Sequence, residues 1–129
     1  MPRYLSPDWF LAAQAALDAS TSLNDASKGV AIDVQHLVTG GPDGDVTFHV
    51  HVNDGTARID RGETADPTVT FIESWDTAKA IALGELSAQG AFMTGLIRVR
   101  GDLPKLVEHS DAFGGVDDVF ASLRADTTY

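Results

Sequence analysis

Val46-Thr47-Phe48-His49-Val50-His51-Val52-Asn53-Asp54-Gly55 carries an apolar side chain at every second position and then breaks into a tight-turn signal. Successive strand side chains point to opposite faces, so Val46, Phe48, Val50 and Val52 share a dry face and Thr47, His49 and His51 a wet one. Asn53-Asp54-Gly55 favours a short hairpin into a third strand around Ala57 and Ile59. Upstream, Val30, Ile32 and Val34 alternate with Ala31, Asp33 and Gln35, and Gly40-Gly41-Pro42-Asp43-Gly44 turns the chain between the two runs. Three strands in an antiparallel meander follow.

Outward from this meander the period changes. Ser6-Pro7-Asp8-Trp9-Phe10 opens a helix to about residue 20: Ser6 suits the N-cap, Pro7 the first helical position, and Leu5 and Phe10 the two ends of a hydrophobic staple. Its apolar stripe is Trp9, Phe10, Ala13, Ala16 and Leu17. Downstream, Val69 and Phe71 give a fourth strand, Ser74 caps a short helix that stops at Gly84, and a second short helix spans Ser87 to Met93. Leu96 to Arg100 reads as a fifth strand with Ile97 and Val99 inward and Arg98 and Arg100 outward. Asp102 caps a helix through His109 that carries Leu103, Leu106 and Val107 inward, and a terminal helix carries Val116, Val119, Phe120 and Leu123. Strands segregated from helices in this order predict one α+β domain over residues 1–129, its core at about 6–123, with helices on one face of a five-stranded, mostly antiparallel sheet.

Composition narrows the function classes. The chain has 129 residues, 19 acidic against nine Lys and Arg, and a formal charge of −10. Such a surface repels phosphate backbones and anionic headgroups, so nucleic acid is not an expected partner and stable membrane anchoring is not expected either. No apolar run approaches the roughly 20 residues needed to span a bilayer. The first residues lack a signal-peptide core and the last four, Asp126-Thr127-Thr128-Tyr129, lack a peroxisomal address, so a cytoplasmic location is expected. The absence of cysteine removes thiolate, iron–sulfur and disulfide chemistry.

Few residues carry a catalytic signature. His49 and His51 share a strand face and could give two nitrogens to zinc if a third ligand converged, but His36 falls on the face opposite Asp33, so no metal and no cofactor is expected. Ser74 and Ser110 lack a nucleophile context, Gly40-Gly41 lacks the residues of a phosphate cradle, and Asp43/Asp45 and Asp117-Asp118 read as turn, helix-start or solvated positions. The unusual segment is Gly84 to Leu103, where Phe92 and Met93 stand beside the inward pair Ile97 and Val99. These side chains either line an adjustable apolar cavity or simply pack the core.

The same segment resembles the sterol carrier protein 2 family at Gly84, Gln89, Ala91, Phe92, Gly95, Ile97, Arg98, Val99, Gly101 and Asp102, and Ala65-Asp66-Pro67-Thr68-Val69-Thr70 resembles the approach to that family's fourth strand. Leu96 and Ala88 depart from the Lys and Pro the family often has there, changes that keep a lining apolar. The resemblance implies a non-catalytic protein holding a sterol, fatty acid, acyl-CoA or similar lipid in a tunnel between sheet and helices. It implies a lining of Trp75, Ile81, Phe92, Met93, Ile97, Val99, Leu103, Leu106, Phe113 and Phe120, with Gln89 as a polar handle. A partner enzyme or a homodimer is the protein partner the resemblance leaves open. The alternatives are an accessory or oligomerisation module of the same fold without lipid, and a small His-dependent metal enzyme.

Overall fold

A computed structural model describes all residues 1–129. Ser6 Oγ accepts from the Trp9 N–H at 3.3 Å and starts α1 (Pro7–Ala19). Trp9, Phe10, Ala13 and Leu17 make its buried face. Ser20 ends α1 and caps α2 (Thr21–Ala26), a short helix absent from the expectation above. Its sequence, Thr-Ser-Leu-Asn-Asp-Ala, has one apolar anchor, Leu23, and so no period to read.

The meander forms as β1 (Ala31–Gly41), β2 (Gly44–Asn53) and β3 (Thr56–Arg61). Val34 faces Val50, and Val50 faces Ile59, across antiparallel ladders. The β2–β3 turn takes Asp54 at φ 43° and Gly55 at φ 88°, the doubly left-handed geometry that matches strand twist in a two-residue hairpin. β4 (Val69–Ser74) then lies parallel to β1, with Val34 opposite Val69 and His36 opposite Phe71. β5 (Ile97–Gly101) closes the sheet antiparallel to β4, giving the order β3-β2-β1-β4-β5. The sheet is thus mixed, with one parallel pairing among three antiparallel ones.

Between β4 and β5 run α3 (Trp75–Ala82) and α4 (Ala88–Met93), and after β5 come α5 (Leu103–Glu108) and α6 (Ser110–Ser122). Ser74, Ser87 and Asp102 accept from the N–H groups of Thr77, Gly90 and Lys105 and cap their helices. One correction concerns α5: it buries no residue, and Leu103 and Val107 are 38% and 67% exposed. Only Leu106 of the three expected inward side chains packs against the core. The three positions share one helical face, but this short helix packs chiefly against α6 and not down on the sheet, so the face is left largely uncovered.

The inner sheet face carries Ile32, Val34, Val38, Phe48, Val50, Val52, Ile59 and Val69, all buried together with the α1 face, Leu23 and the α6 residues Ala112, Val116 and Val119. The outer face keeps the polar set, including Gln35, His49, His51, Arg98 and Arg100, half-buried or exposed. The two chain ends meet: the Tyr4 N–H donates to Thr128 O at 2.9 Å, and the Tyr4 and Tyr129 rings lie 5.2 Å apart.

Candidate functional site

The inner sheet face is not filled everywhere. Between it and helices α3, α4 and α6 lies a cavity of about 330 Å³, and 20 of its 26 lining residues are hydrophobic. Its residues come from separate elements. β1 supplies Ile32, Val34 and His36, β2 supplies Phe48, Val50 and Val52, β4 supplies Phe71 and Glu73, and β5 supplies Ile97. α3 contributes Ala78, Ile81 and Ala82 from one side. α6 presents Phe113, Val116, Asp117, Phe120 and Ala121, whose spacing of three and four makes a single helical face.

α4 stands at the rim. Ser87 Oγ caps it, Ala91 is fully buried, and Phe92 lines the cavity while remaining 43% exposed. Opposite, Arg124 follows α6 and donates from Nε to the carbonyl of Ala82 at 2.7 Å, in the last turn of α3. A cation suits the negative end of a helix dipole, so this contact ties two walls of the cavity together. Asp117, Asp118, Ala121 and Arg124 are exposed lining residues, and the last three with Ser87, Ala88 and Phe92 mark the mouth.

Of the positions implied for the lining, Ile81, Phe92, Ile97, Phe113 and Phe120 border this cavity. Trp75, Met93, Val99, Leu103, Leu106 and Gln89 do not. Trp75 packs at the β4–α3 corner, its ring 5.4 Å from Tyr4 and within 3.1 Å of where a Cβ on Gly41 would stand. Met93 is 76% exposed on α4, and Gln89 is exposed on the same helix. Val99 and Leu106 pack as partly buried core residues near the sheet edge. Leu103 faces solvent at the start of α5.

Polar residues on the lining were missed. His36 stacks on Phe48 with ring centroids 4.7 Å apart and an interplanar angle of 6°, and its Nδ1 meets Glu73 Oε1 at 3.3 Å. Glu73 shows only 7% of its side chain. Asp117 lines the same cavity from the helical side. Part of its side chain is reachable because it borders the cavity, yet the protein packed around it pushes its carboxyl up from 3.8 to about 6. Burial is the main cause; His36 pulls the other way, and Asp118 and Glu73 reinforce the rise. Tyr4 is pushed upward by burial, then by Glu73, Tyr129 and Asp117, and stays a phenol at any ordinary pH. A signal for Asp117 was present: it lies one helical turn from Phe113 and from Phe120, within the apolar stripe.

The raised Asp117 carboxyl has a stability consequence. The folded chain holds that proton where the unfolded chain has lost it, so its contribution is most favourable at low pH and declines as pH rises from about 4 to about 6. Asp117→Asn should therefore stabilise the protein near neutral pH and change little near the lower limit of that window. Because the side chain remains reachable by water, screening limits the gain to about 1 kcal/mol. Thermal melts of both proteins across the window check this; an unchanged difference at all pH values would contradict it.

His49 and His51 stand apart from the cavity on the outer face. His49 Nδ1 pairs with the Gly62 carbonyl at 3.0 Å and His51 Nδ1 with Asp33 Oδ2 at 3.3 Å. No three His, Asp or Glu side chains converge on a point where a metal ion could be held.

Comparison with known proteins agrees with this architecture. The profile of the SCP-2 sterol transfer family matches residues 11–113. The crystal structure of sterol carrier protein 2 superposes with a TM-score of 0.77 at 19% identity, over 92% of this chain and 98% of the other. A conserved hypothetical protein of Thermus thermophilus gives 0.78 at 18% identity, over 95% and 91% of the two chains. Palmitated SCP2L2 from Aedes aegypti gives 0.62 at 20% identity, over 90% and 95%. No curated protein matches in a sequence comparison.

Proposed function

The chain belongs to the SCP-2 sterol transfer family, and from that premise we propose that it binds and carries an apolar lipid of the sterol, fatty acyl or acyl-CoA class, without chemistry, as one domain over residues 1–129. The observation that carries this reading is the apolar cavity of about 330 Å³. That volume falls within the range of small-molecule pockets, about 300 to 1,000 Å³. Each methylene moved from water into such a space contributes about 0.8 kcal/mol, so a long chain reaches micromolar affinity without a specific hydrogen bond. The likeness to a protein studied in palmitated form, which shares this fold, supports the same ligand class.

Delivery follows from charge. With −10 on the chain, hand-over to a partner protein in the cytoplasm fits better than docking to an anionic bilayer. No helix is long and apolar enough to cross a membrane.

Native mass spectrometry of the purified protein, before and after organic extraction, tests the proposal together with titration of an uncharged fluorescent lipid probe. Carriage predicts an extractable adduct or saturable uptake at micromolar probe. Neither adduct nor uptake would leave an empty accessory module and overturn the reading.

A further inference from the structure

The polar groups of the cavity are distributed unevenly. Glu73, almost wholly enclosed, meets His36 through Oε1 alone, and its Oε2 has no hydrogen-bond partner within the protein. That oxygen is not among the side-chain atoms sealed off without a partner, so it keeps accessible surface, and because Glu73 lines the cavity a donor entering that space can reach it. When His36 donates Nδ1–H to Glu73, its Nε2 is left as an acceptor. Asp117 adds a third acceptor group from α6. The Tyr4 and Tyr129 hydroxyls either donate or accept, so they do not discriminate between guests. The unpaired Trp9 Nε1 is sealed within the packing and offers nothing to the cavity. The one permanently charged cation among the lining residues is Arg124, at the mouth, with Nε already committed to Ala82 and Asp118 also on the rim.

We propose that the cavity selects amphiphiles whose polar end is a hydrogen-bond donor or carries positive charge, seated at the Glu73–His36–Asp117 wall, and rejects carboxylate heads from that place. This rests on the lipid-binding reading above and refines its ligand class. A carboxylate seated there would face two acidic side chains lining one cavity, with the one imidazole of that wall already paired to Glu73, whereas an ammonium is attracted by both carboxylates. A carboxylate-headed guest is left with the reverse orientation, its head at Arg124.

The test is competitive displacement of an uncharged fluorescent hydrocarbon probe by dodecylammonium and by laurate near neutral pH. The two have equal chains and opposite charge, and raised salt screens the general field of an acidic protein. The expected result is displacement by the amine at concentrations at least about tenfold lower than by laurate. In the Glu73→Gln/Asp117→Asn protein that ratio should collapse to within about threefold. Asp117→Asn alone, expected to be the more stable protein, should reduce the ratio partway and serves if the double variant does not fold. Laurate equal to or better than the amine would overturn the proposal while leaving lipid binding intact. So would an amine preference unchanged by the variants, which would assign it to overall charge. A probe that never binds would overturn both this proposal and the reading beneath it.

Discussion

Ala121→Trp should lower affinity for an apolar probe by at least about tenfold, a loss of about 1.4 kcal/mol, while the melting temperature stays within a few degrees of the parent. Ala121 sits on the cavity face of α6, one turn beyond Asp117, and it is exposed at the mouth. An indole at this position has two places to go. It can turn outward over the rim, or it can occupy the apolar space that a guest would otherwise take; burial of its large apolar surface favours the second. Because the parent alanine is exposed, the fold does not depend on the substitution. Fluorescence titration and thermal melts on the same samples separate the two effects. Unchanged affinity with unchanged stability would mean that the guest binds away from the α6 wall.

Gly101→Ala should be the most damaging single-methyl change in the chain, at roughly 3 kcal/mol, or about 10 °C in melting temperature. Gly101 ends β5 at φ +106°, a conformation that L side chains rarely adopt. A Cβ there would collide with the Thr68 carbonyl oxygen and stand 3.0 Å from the Val69 Cα. Both obstacles are backbone, and neither can swing aside. The Asp102 N–H also donates to that Thr68 carbonyl at 2.8 Å, so relief of the clash would loosen the start of α5. Gly95 is the control: its φ is +82° but nothing lies within 4 Å of its absent Cβ. Gly95→Ala should cost about 1 kcal/mol, the conformational part alone. Equal losses at the two positions in denaturant unfolding would contradict this account of the β4–β5 edge.

The strands were legible because half-buried sheets impose a period of two, and the helix starts because Ser6, Ser74, Ser87 and Asp102 announce them chemically. The parallel placement of β4 beside β1 was not, since it depends on where residues 62–68 carry the chain and not on any local pattern. Nor could the sequence separate a wall from a filling. Ile97 and Val99 are equally apolar and share one strand face, yet only Ile97 borders the cavity, because the sheet edge under Val99 is closed by packing. Asp117 was readable in principle as a charge inside an apolar helical stripe. Its pairing with Asp118 disguised it as an ordinary acidic helix position. The period of two puts His36 on the face opposite Asp33, but its partner Glu73 lies 37 residues away and only the β1–β4 register brings them together.

The central claim is that the space bounded by β1, β4, α3 and α6 accommodates a guest. It is tested most directly by methyl-detected NMR during addition of a nitroxide-labelled long-chain alcohol, because paramagnetic broadening reports distance to the chain itself. The account predicts the strongest broadening at the methyl signals of Ile32, Val34, Ile81, Ile97 and Val116, which line the cavity, with Leu17 and Ile59 of the packed core broadened less. No broadening, or broadening confined to exposed Leu11, Leu96 and Val107, would contradict it.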